Sequence, residues 1–292
     1  GTVLDTTPIG IRSASMTGWM KLSHEYPCAY HDGTNFVVVY RSIANYSSDP
    51  ADILPENGVF AHRVTAAGAV LSPQVKLVAM SPNYETYSVQ DLSSVGGTAV
   101  LVHQGHVFSP SGYDIRRTLI GTSGGLPAAA SSTPIISSSV WPPIHRWPAV
   151  GSASGINHLA VWEREKTTTV TYDPDLYHAQ IAGALAVPST PQTLYAGKAD
   201  QLPVVAFDGT NYAVFASHSH GCKSYIGAQR VDTAGVKSAA TYWPAADLVS
   251  RVDACYGSTN GIVVFEDFNM PTVYNGPDSS TGIWFQLTDK TP

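Results

Sequence analysis

The sequence predicts an all-β protein, and within that class a five-bladed β-propeller with four antiparallel strands in each blade. Three observations lead to this prediction. A strand–turn–strand unit recurs along the chain, each unit is followed by further strand-like segments, and the two ends of the chain supply complementary parts of one unit. The 292 residues include 25 glycines and 20 prolines, as many short strands joined by tight turns require.

The recurring unit is clearest between Val204 and Phe215, where two apolar segments flank Asp208-Gly209-Thr210-Asn211. The stretch from Cys28 to Val39 repeats it around Asp32-Gly33-Thr34-Asn35. Glycine takes a positive φ without steric cost, so this tetrapeptide favours a tight hairpin turn. Looser copies run from Tyr87 to Val102, from Pro148 to Trp162 and from Asp253 to Phe265.

Each unit continues with a third strand, a small turn and an outer segment, so that the four strands A to D follow one another outwards. The third strands Gly58–Val64 and Tyr225–Val231 resemble each other closely. The predicted outer segments are Gly68–Pro73, Gly125–Pro134, Gly183–Pro191 and Gly235–Tyr242. A unit of roughly 45 to 60 residues has the size of a propeller blade. The predicted blades of this single domain are 22–80, 81–140, 141–197, 198–246, and 247–292 completed by 1–12.

The two ends of the chain predict a closed ring. The fifth unit reaches its third strand at Gly282–Thr288 and lacks a fourth, whereas Gly1–Ile9 matches the outer segment Gly68–Pro73. The N-terminal strand is therefore expected to complete the last blade, which leaves no open sheet edge.

Pro203–Phe215 and Pro27–Tyr40 resemble the repeat of bacterial secreted β-propeller proteins, whose blades carry Asp-Gly-Thr-Asn-Tyr turns. The other three blades depart from that repeat. The resemblance implies the fold and export from the cell, and it implies no activity, because propellers host unrelated functions.

Composition excludes some functions. A net charge of −6 without clusters of lysine or arginine argues against nucleic-acid binding, and no apolar run is long enough to span a membrane. The sparse charge and the possible sequon Asn45-Tyr46-Ser47 indicate a secreted or periplasmic protein. Cys28 and Cys255 lie in apolar strand patterns and are expected to be buried thiols, and the spacing of the three cysteines selects no disulfide.

The loops predict where a functional site lies. The A–B and C–D turns on one face are short and alike, whereas the B–C and D–A loops on the other face are long and dissimilar, which favours one composite site there. Six of the ten histidines fall in these long loops: His24, His103, His106, His145, His218 and His220. His31, His62, His158 and His178 are interpreted as structural.

One hypothesis for this face is a metal site. His218, His220 and Cys222 alternate along an extended segment, so they share one side and suit a transition metal. A further ligand would have to come from His103, His106 or His145. The metal expected at such a site is a divalent ion of zinc, copper or calcium.

The main hypothesis is a site for an acidic polysaccharide. Aromatic rings stack on sugars and cationic side chains pair with acid groups, which suggests Tyr26, Arg41, Tyr84, Trp147 and Lys198 as substrate-binding residues. A lyase acting by β-elimination needs a base and a cation that neutralises the acid group. The candidate catalytic residues are His103, His145 or His218 as base and Arg146 or Arg251 as cation.

Two alternatives stay open, namely a non-enzymatic glycan- or protein-binding lectin and a histidine-ligated copper or zinc enzyme. The expected partner is a polysaccharide or glycan, and the protein is expected to be a monomer. A five-bladed glycosidase is less well supported, because the positions where inward carboxylates are required hold Glu25, Glu85, Arg146, Gln201 and Asp253.

Overall fold

The computed structural model is made of antiparallel β-sheets, which confirms the all-β prediction. It describes residues 22–44, 57–79, 84–95, 98–108, 111–123, 126–129, 132–137, 144–154, 157–165, 174–182, 189–195, 201–220, 223–244, 248–257, 260–268 and 281–289, and the side chains of most of these. Twenty strands lie in this part of the chain, and consecutive strands pair to form five sheets.

Sheets 1 and 2 come from the first half of the chain. Sheet 1 contains β1 (Leu22–His31), β2 (Phe36–Ala44), β3 (Gly58–Val64) and β4 (Val70–Ala79) in that order. Sheet 2 contains β5 (Tyr84–Val95), β6 (Thr98–Phe108), β7 (Ser111–Ser123) and β8 (Leu126–Ala129), while β9 (Thr133–Ile136) also pairs with β7.

Sheets 3 to 5 repeat the same order. Sheet 3 contains β10 (His145–Ser154), β11 (Asn157–Glu165), β12 (Pro174–Ala182) and β13 (Gln192–Tyr195). Sheet 4 contains β14 (Gln201–Phe207), β15 (Tyr212–His220), β16 (Lys223–Val231) and β17 (Thr241–Pro244). Sheet 5 contains β18 (Leu248–Tyr256), β19 (Asn260–Phe268) and β20 (Thr281–Asp289), which are its three described strands.

The outer strand of sheet 3 differs from its predicted position. It begins at Gln192, directly after the segment predicted from Gly183 to Pro191. Before this strand, Ser189 N–H donates to Gln180 O on β12 at 2.9 Å, and Pro191 has no backbone N–H with which to continue the ladder. In sheet 4 the outer strand Thr241–Pro244 likewise lies at the end of the predicted segment.

The Asp-Gly-Thr-Asn turns of sheets 1 and 4 have the same geometry. In sheet 1, Asp32 Oδ1 accepts the N–H groups of Thr34 and Asn35 at 2.9 and 2.7 Å. Its Oδ2 pairs with Nε of Arg63 on β3 at 3.2 Å, and Gly33 has a φ of 98°. The turn of sheet 4 has the same set of contacts among Asp208, Gly209, Thr210, Asn211 and Arg230. The carboxylate therefore ties each turn to the third strand of its own sheet.

Successive sheets pack face to face in chain order, with their first strands side by side, as in a β-propeller. Strand β5 lies beside β1 and β10, and β14 lies beside β10 and β18. Four apolar clusters fill the spaces between neighbouring sheets, and they include the pairs Val39 and Leu101, Val102 and Trp162, Val161 and Val214, and Phe215 and Val263. Burying each such side chain contributes about 1.5–3 kcal/mol, so these clusters hold the sheets in sequence.

Two cysteines on the first strands differ in exposure. Cys28 on β1 packs against the cluster between sheets 1 and 2, and burial raises the pKa of its thiol. Cys255 on β18 is exposed, so its predicted burial is wrong. The cluster between sheets 4 and 5 includes its neighbours Val252 and Ala254, and side chains alternate along a strand, which turns Cys255 to the other face of sheet 5.

The predicted closing strand, residues 1–12, lies outside the described residues, and ring closure stays a prediction. Within the part of the chain that the structure describes, no helix has the length and apolar character needed to cross a membrane.

Candidate functional site

The candidate site lies where strand A begins and strand B ends, which we call the loop end of the sheets. Antiparallel pairing brings Glu25 opposite Arg41 in sheet 1 and Arg146 opposite Glu163 in sheet 3. In sheet 4 it brings Gln201 opposite Ser217. These positions are equivalent in the three sheets, and the B–C and D–A connections leave from this end. The prediction of long B–C loops is wrong for sheets 2 and 4, because β6 continues to Phe108 and β7 begins at Ser111, and β15 continues to His220 and β16 begins at Lys223.

A β-bulge interrupts strand A directly after each of these pairs. The bulged residues Tyr26, Trp147 and Leu202 have φ values of 52°, 52° and 50°, and each is followed by a proline. A positive φ is uncommon for residues other than glycine, and a residue before proline prefers extended backbone. Such strain costs on the order of 1–3 kcal/mol per residue and concentrates at functional sites. Three equivalent positions therefore hold a strained backbone at the loop end.

The bulges give each sheet a different side chain at the same place. Tyr26 is 37% exposed, and Trp147 and Leu202 are partly exposed. A tyrosine, a tryptophan and a leucine at equivalent positions cannot form repeated identical sites. The loop end is therefore asymmetric, in line with one composite site.

A buried carboxylate supports the bulge of sheet 4. Glu163 on β11 is 0% exposed, and its Oε1 accepts the N–H of Leu202 at 2.7 Å across the boundary between sheets 3 and 4. A buried carboxylate is costly unless it is hydrogen-bonded, so this contact fixes the position of the strained residue. This role could not be predicted, because it depends on which sheet faces Glu163.

The two arginines predicted to act at this end are already paired. Arg41 Nη1 lies 3.4 Å from Glu25 Oε2, and the arginine is 6% exposed. Arg146 Nη2 forms an ion pair with Glu165 Oε2, and both side chains are 27% exposed. Each guanidinium is thus held by a carboxylate of its own sheet.

His145 belongs to a chain of contacts in sheet 3. It is 2% exposed, and its Nδ1 accepts the indole N–H of Trp162 at 3.1 Å. Burial, and secondly the charge of Arg164, lower its pKa to about 4. Because Nδ1 is an acceptor, the neutral ring carries its proton on Nε2. His145 is therefore better suited to donate a hydrogen bond than to accept a proton as a base.

His103 is fully buried in sheet 2. Its Nε2 lies 3.1 Å from Ser132 Oγ, and Arg116 donates to both the hydroxyl and the carbonyl oxygen of Ser132. Burial, followed by the positive charge of Arg116, lowers the pKa of His103 to about 3. A ring so placed has little access to a substrate.

His218 lies among aromatic rings on sheet 4. Its ring centroid is 5.1 Å from that of Tyr242 and 6.3 Å from that of Tyr225. Tyr242 is 46% exposed and also contacts Tyr195 of sheet 3. The structure thus places His103, His145 and His218 on strands β6, β10 and β15 of three different sheets, so their predicted position in loops is wrong.

Several predicted residues lie outside what the structure describes. Lys198 and Cys222 are not among the described residues, and the side chains of Tyr84, His106, His220 and Arg251 are not described either. Among the described side chains, no group of three or more histidine, cysteine, aspartate or glutamate residues could hold a metal ion. The metal hypothesis for His218, His220, Cys222 and His106 therefore stays a prediction.

Sequence reasoning missed an acidic group between the first strands of neighbouring sheets. Asp91 on β5 accepts the N–H of Val150 from the neighbouring sheet at 2.8 Å. Burial raises its pKa to about 6; backbone hydrogen bonds to Val150 and Leu92 act in the opposite direction, and Asp253 on β18 adds to the rise. An acidic residue within an otherwise strand-like segment was the available signal. Such a carboxyl exchanges protons close to neutral pH.

Comparison with known proteins supports the fold. No protein-family model and no curated protein sequence matches the chain. A polysaccharide lyase of family PL25, an ulvan lyase, is similar in structure with a TM-score of 0.51 and 8% sequence identity, over 94% of this chain and 66% of that one. An endo-arabinanase of family GH43 from Bacillus licheniformis has a TM-score of 0.47 at 14% identity, over 89% of this chain and 92% of that one. An exo-1,5-α-L-arabinanase from a bovine ruminal metagenomic library has a TM-score of 0.47 at 12% identity, over 89% and 91%. The likeness to the lyase extends over nearly the whole chain and concerns the fold alone.

Proposed function

We propose that this protein is an exported, monomeric five-bladed β-propeller whose loop end binds an acidic polysaccharide. The observation that carries the proposal is the pair of aromatic side chains, Tyr26 and Trp147, at equivalent strained bulges beside arginines. Cleavage of the bound chain by β-elimination is the finer form of the proposal, and a lectin without catalysis is its alternative.

The bulges suit sugar binding because they fix aromatic rings where a ligand can reach them. Aromatic faces pack against the apolar face of a sugar, and a ring already held in place loses little conformational freedom on binding. Strain of this kind persists only where the surrounding structure enforces it. Glu163 provides one such restraint in sheet 4.

Charge at the loop end supports an acidic rather than a neutral polymer. The chain has a net charge of −6, yet Arg41, Arg146 and Arg164 all lie at this end of sheets 1 and 3. Guanidinium groups recognise carboxylate and sulfate oxygens by paired hydrogen bonds. Glu25 and Glu165 compensate the charges of Arg41 and Arg146, so the loop end offers directional guanidinium donors to an acid group rather than an excess of positive charge.

The lyase form requires a base and a neutralising cation. In this form a guanidinium of the loop end would neutralise the acid group, and His218 would be the candidate base. Incubation with uronate polymers distinguishes the two forms: a rise in ultraviolet absorbance from an unsaturated uronate supports the lyase, and binding without that rise supports the lectin.

Replacing Trp147 tests the proposed site. We expect Trp147→Ala to weaken binding of polygalacturonate roughly 10- to 100-fold, because a lost ring contact contributes about 1–3 kcal/mol. Isothermal titration calorimetry measures the change. Phe36→Ala is the matched control, since Phe36 is 45% exposed but begins strand B at the opposite end of sheet 1. Equal losses in both variants, or no binding by the wild type to any acidic polymer, would contradict the proposal.

Closure of the ring has its own test. Sheet 5 shows three strands where sheets 1, 3 and 4 each show four, and we propose that residues 1–12 supply the fourth. Deleting them opens the edge of β20, and we expect Tm to fall by roughly 5–10 °C at about 2–4 °C per kcal/mol. Deleting residues 290–292 is the control. An unchanged Tm after the N-terminal deletion would rule out this closure.

A further inference from the structure

Arg164 is held at the loop end of sheet 3 by an aromatic residue. It lies on β11 opposite His145 of β10. On that paired strand, Trp147 follows His145 by two positions. Its guanidinium carbon is 5.0 Å from the ring centroid of Tyr177, and its Nη1 donates a hydrogen bond to the Tyr177 hydroxyl at 2.9 Å. Tyr177 in turn stacks on the buried ring of Trp162. Arg164 is thus oriented by a rigid part of the sheet.

Among the residues that the structure describes, no carboxylate forms an ion pair with Arg164. Five other arginines of the described residues form ion pairs with Asp or Glu: Arg41, Arg63, Arg116, Arg146 and Arg230. Asp175 faces Arg164 on β12, but no ion pair joins these two described residues, since the guanidinium turns to Tyr177. Within the described part of the chain, the Nε and Nη2 donors of Arg164 make no hydrogen bond.

The surroundings of Arg164 favour an anion. His145 stays neutral at physiological pH, with a pKa lowered to about 4 by burial and by the charge of Arg164 itself. The ring of Tyr177 lies against the guanidinium, and Trp162 behind it is fully buried. Although Asp175 faces Arg164 across the ladder, a half-buried guanidinium interacts more strongly with an oxyanion than one in bulk water.

We propose that Arg164, rather than the paired Arg146, binds the acid group of the polysaccharide through its Nε and Nη2 donors. The ligand chemistry is an oxyanion that accepts two parallel hydrogen bonds, either a uronate carboxylate or a sulfate ester. This inference rests on the proposed function of the loop end, and it assigns the acid-binding role to one residue.

The test compares Arg164→Leu and Arg164→Lys with the wild type. Isothermal titration calorimetry is run with polygalacturonate, with dextran sulfate and with neutral arabinan. We expect Arg164→Leu to bind its acidic polymer roughly 10- to 100-fold more weakly, and Arg164→Lys, which keeps the charge but loses the fork of donors, to bind it several-fold more weakly. The polymer whose affinity falls identifies carboxylate or sulfate as the group bound.

Two controls keep the result interpretable. Lys76→Leu removes the same charge from a cation that lies 5.1 Å from the Phe60 ring centroid on sheet 1, and it should leave affinity unchanged. A Tm equal to that of the wild type shows that each variant is folded, and Arg164→Lys serves if Arg164→Leu is not. If Trp147→Ala abolishes binding while both Arg164 variants bind normally, this inference is wrong and the proposed function stands. If the wild type binds none of the polymers, the proposed function fails first.

Discussion

The protein is expected to lose on the order of 5 kcal/mol of folding free energy between about pH 6.5 and pH 4.5. Three buried histidines cause this loss. His103 has a pKa lowered to about 3, and His145 and His178 have pKa values lowered to about 4, in each case mainly by burial and then by a nearby cation. The loss is comparable to the whole stability of a typical domain, about 5–15 kcal/mol.

The sign follows from proton binding. Between the lowered pKa of the folded state and the ordinary value of 6.5, the unfolded chain binds a proton that the folded chain does not. Stability is therefore fully present above pH 6.5 and falls as the pH falls, by about 1.4 kcal/mol per pH unit for each histidine. Asp91 opposes part of this loss, because its pKa is raised to about 6 and the folded state takes up that proton first.

Thermal unfolding followed by circular dichroism at several pH values measures the effect. His178→Leu is the informative variant, since His178 is 2% exposed and neither ring nitrogen has a hydrogen-bond partner among the described residues. We expect equal or greater stability than wild type near pH 7.5 and a slope against pH smaller by about a third. A wild-type Tm that is flat between pH 7 and pH 5 would show that these histidines are not buried as described.

The repeat was predictable because turn chemistry is local. Asp208-Gly209-Thr210-Asn211 specifies a hairpin from four adjacent residues, and the observed pairing of β14 with β15 follows from it. The third strand could also be placed, because Arg63 and Arg230 recur at the same position after the turn. Outer strands were placed less well, since their start depends on where a proline stops the ladder, as Pro191 does before β13.

The site was harder to predict because its parts depend on tertiary contacts. Proline after Tyr26, Trp147 and Leu202 marks the bulge in the sequence, but a residue before proline is ordinarily expected to be extended. Burial of His103 and His145 depends on which face of β6 and β10 meets a neighbouring sheet. The alternation of side chains along one strand identifies two faces, but it does not indicate which face packs against a neighbouring sheet. The pairing of Arg146 with Glu165, and the lack of an ion pair between Arg164 and any described carboxylate, likewise required the fold.

Among the side chains of the turns, the carboxylate of Asp208 is expected to contribute most to the free energy of unfolding. Asp208→Ala should cost about 3 kcal/mol, because it removes two hydrogen bonds from backbone N–H groups and the ion pair with Arg230. This free-energy cost is smaller than the cost of breaking a fully buried ion pair, because the Arg230 side chain is 25% exposed. Urea denaturation at pH 7 measures the difference. Thr210→Ala is the control in the same turn, with an exposed side chain and an expected change within about 0.5 kcal/mol.

In sheet 1, Asp32 and Arg63 allow the stabilisation by the ion pair to be measured apart from the stabilisation by the turn hydrogen bonds. Burial of Asp32 acts to raise its pKa, but the N–H groups of Asn35 and Thr34 and the charge of Arg63 together lower it. The carboxylate therefore stabilises the fold above its ordinary pKa, and this contribution is lost as the pH falls through the lowered value. A double-mutant cycle between Asp32→Asn and Arg63→Leu isolates the ion pair from the turn hydrogen bonds. If the two substitutions were additive, the arginine would not be tied to the turn, and the carboxylate would act on the hairpin alone.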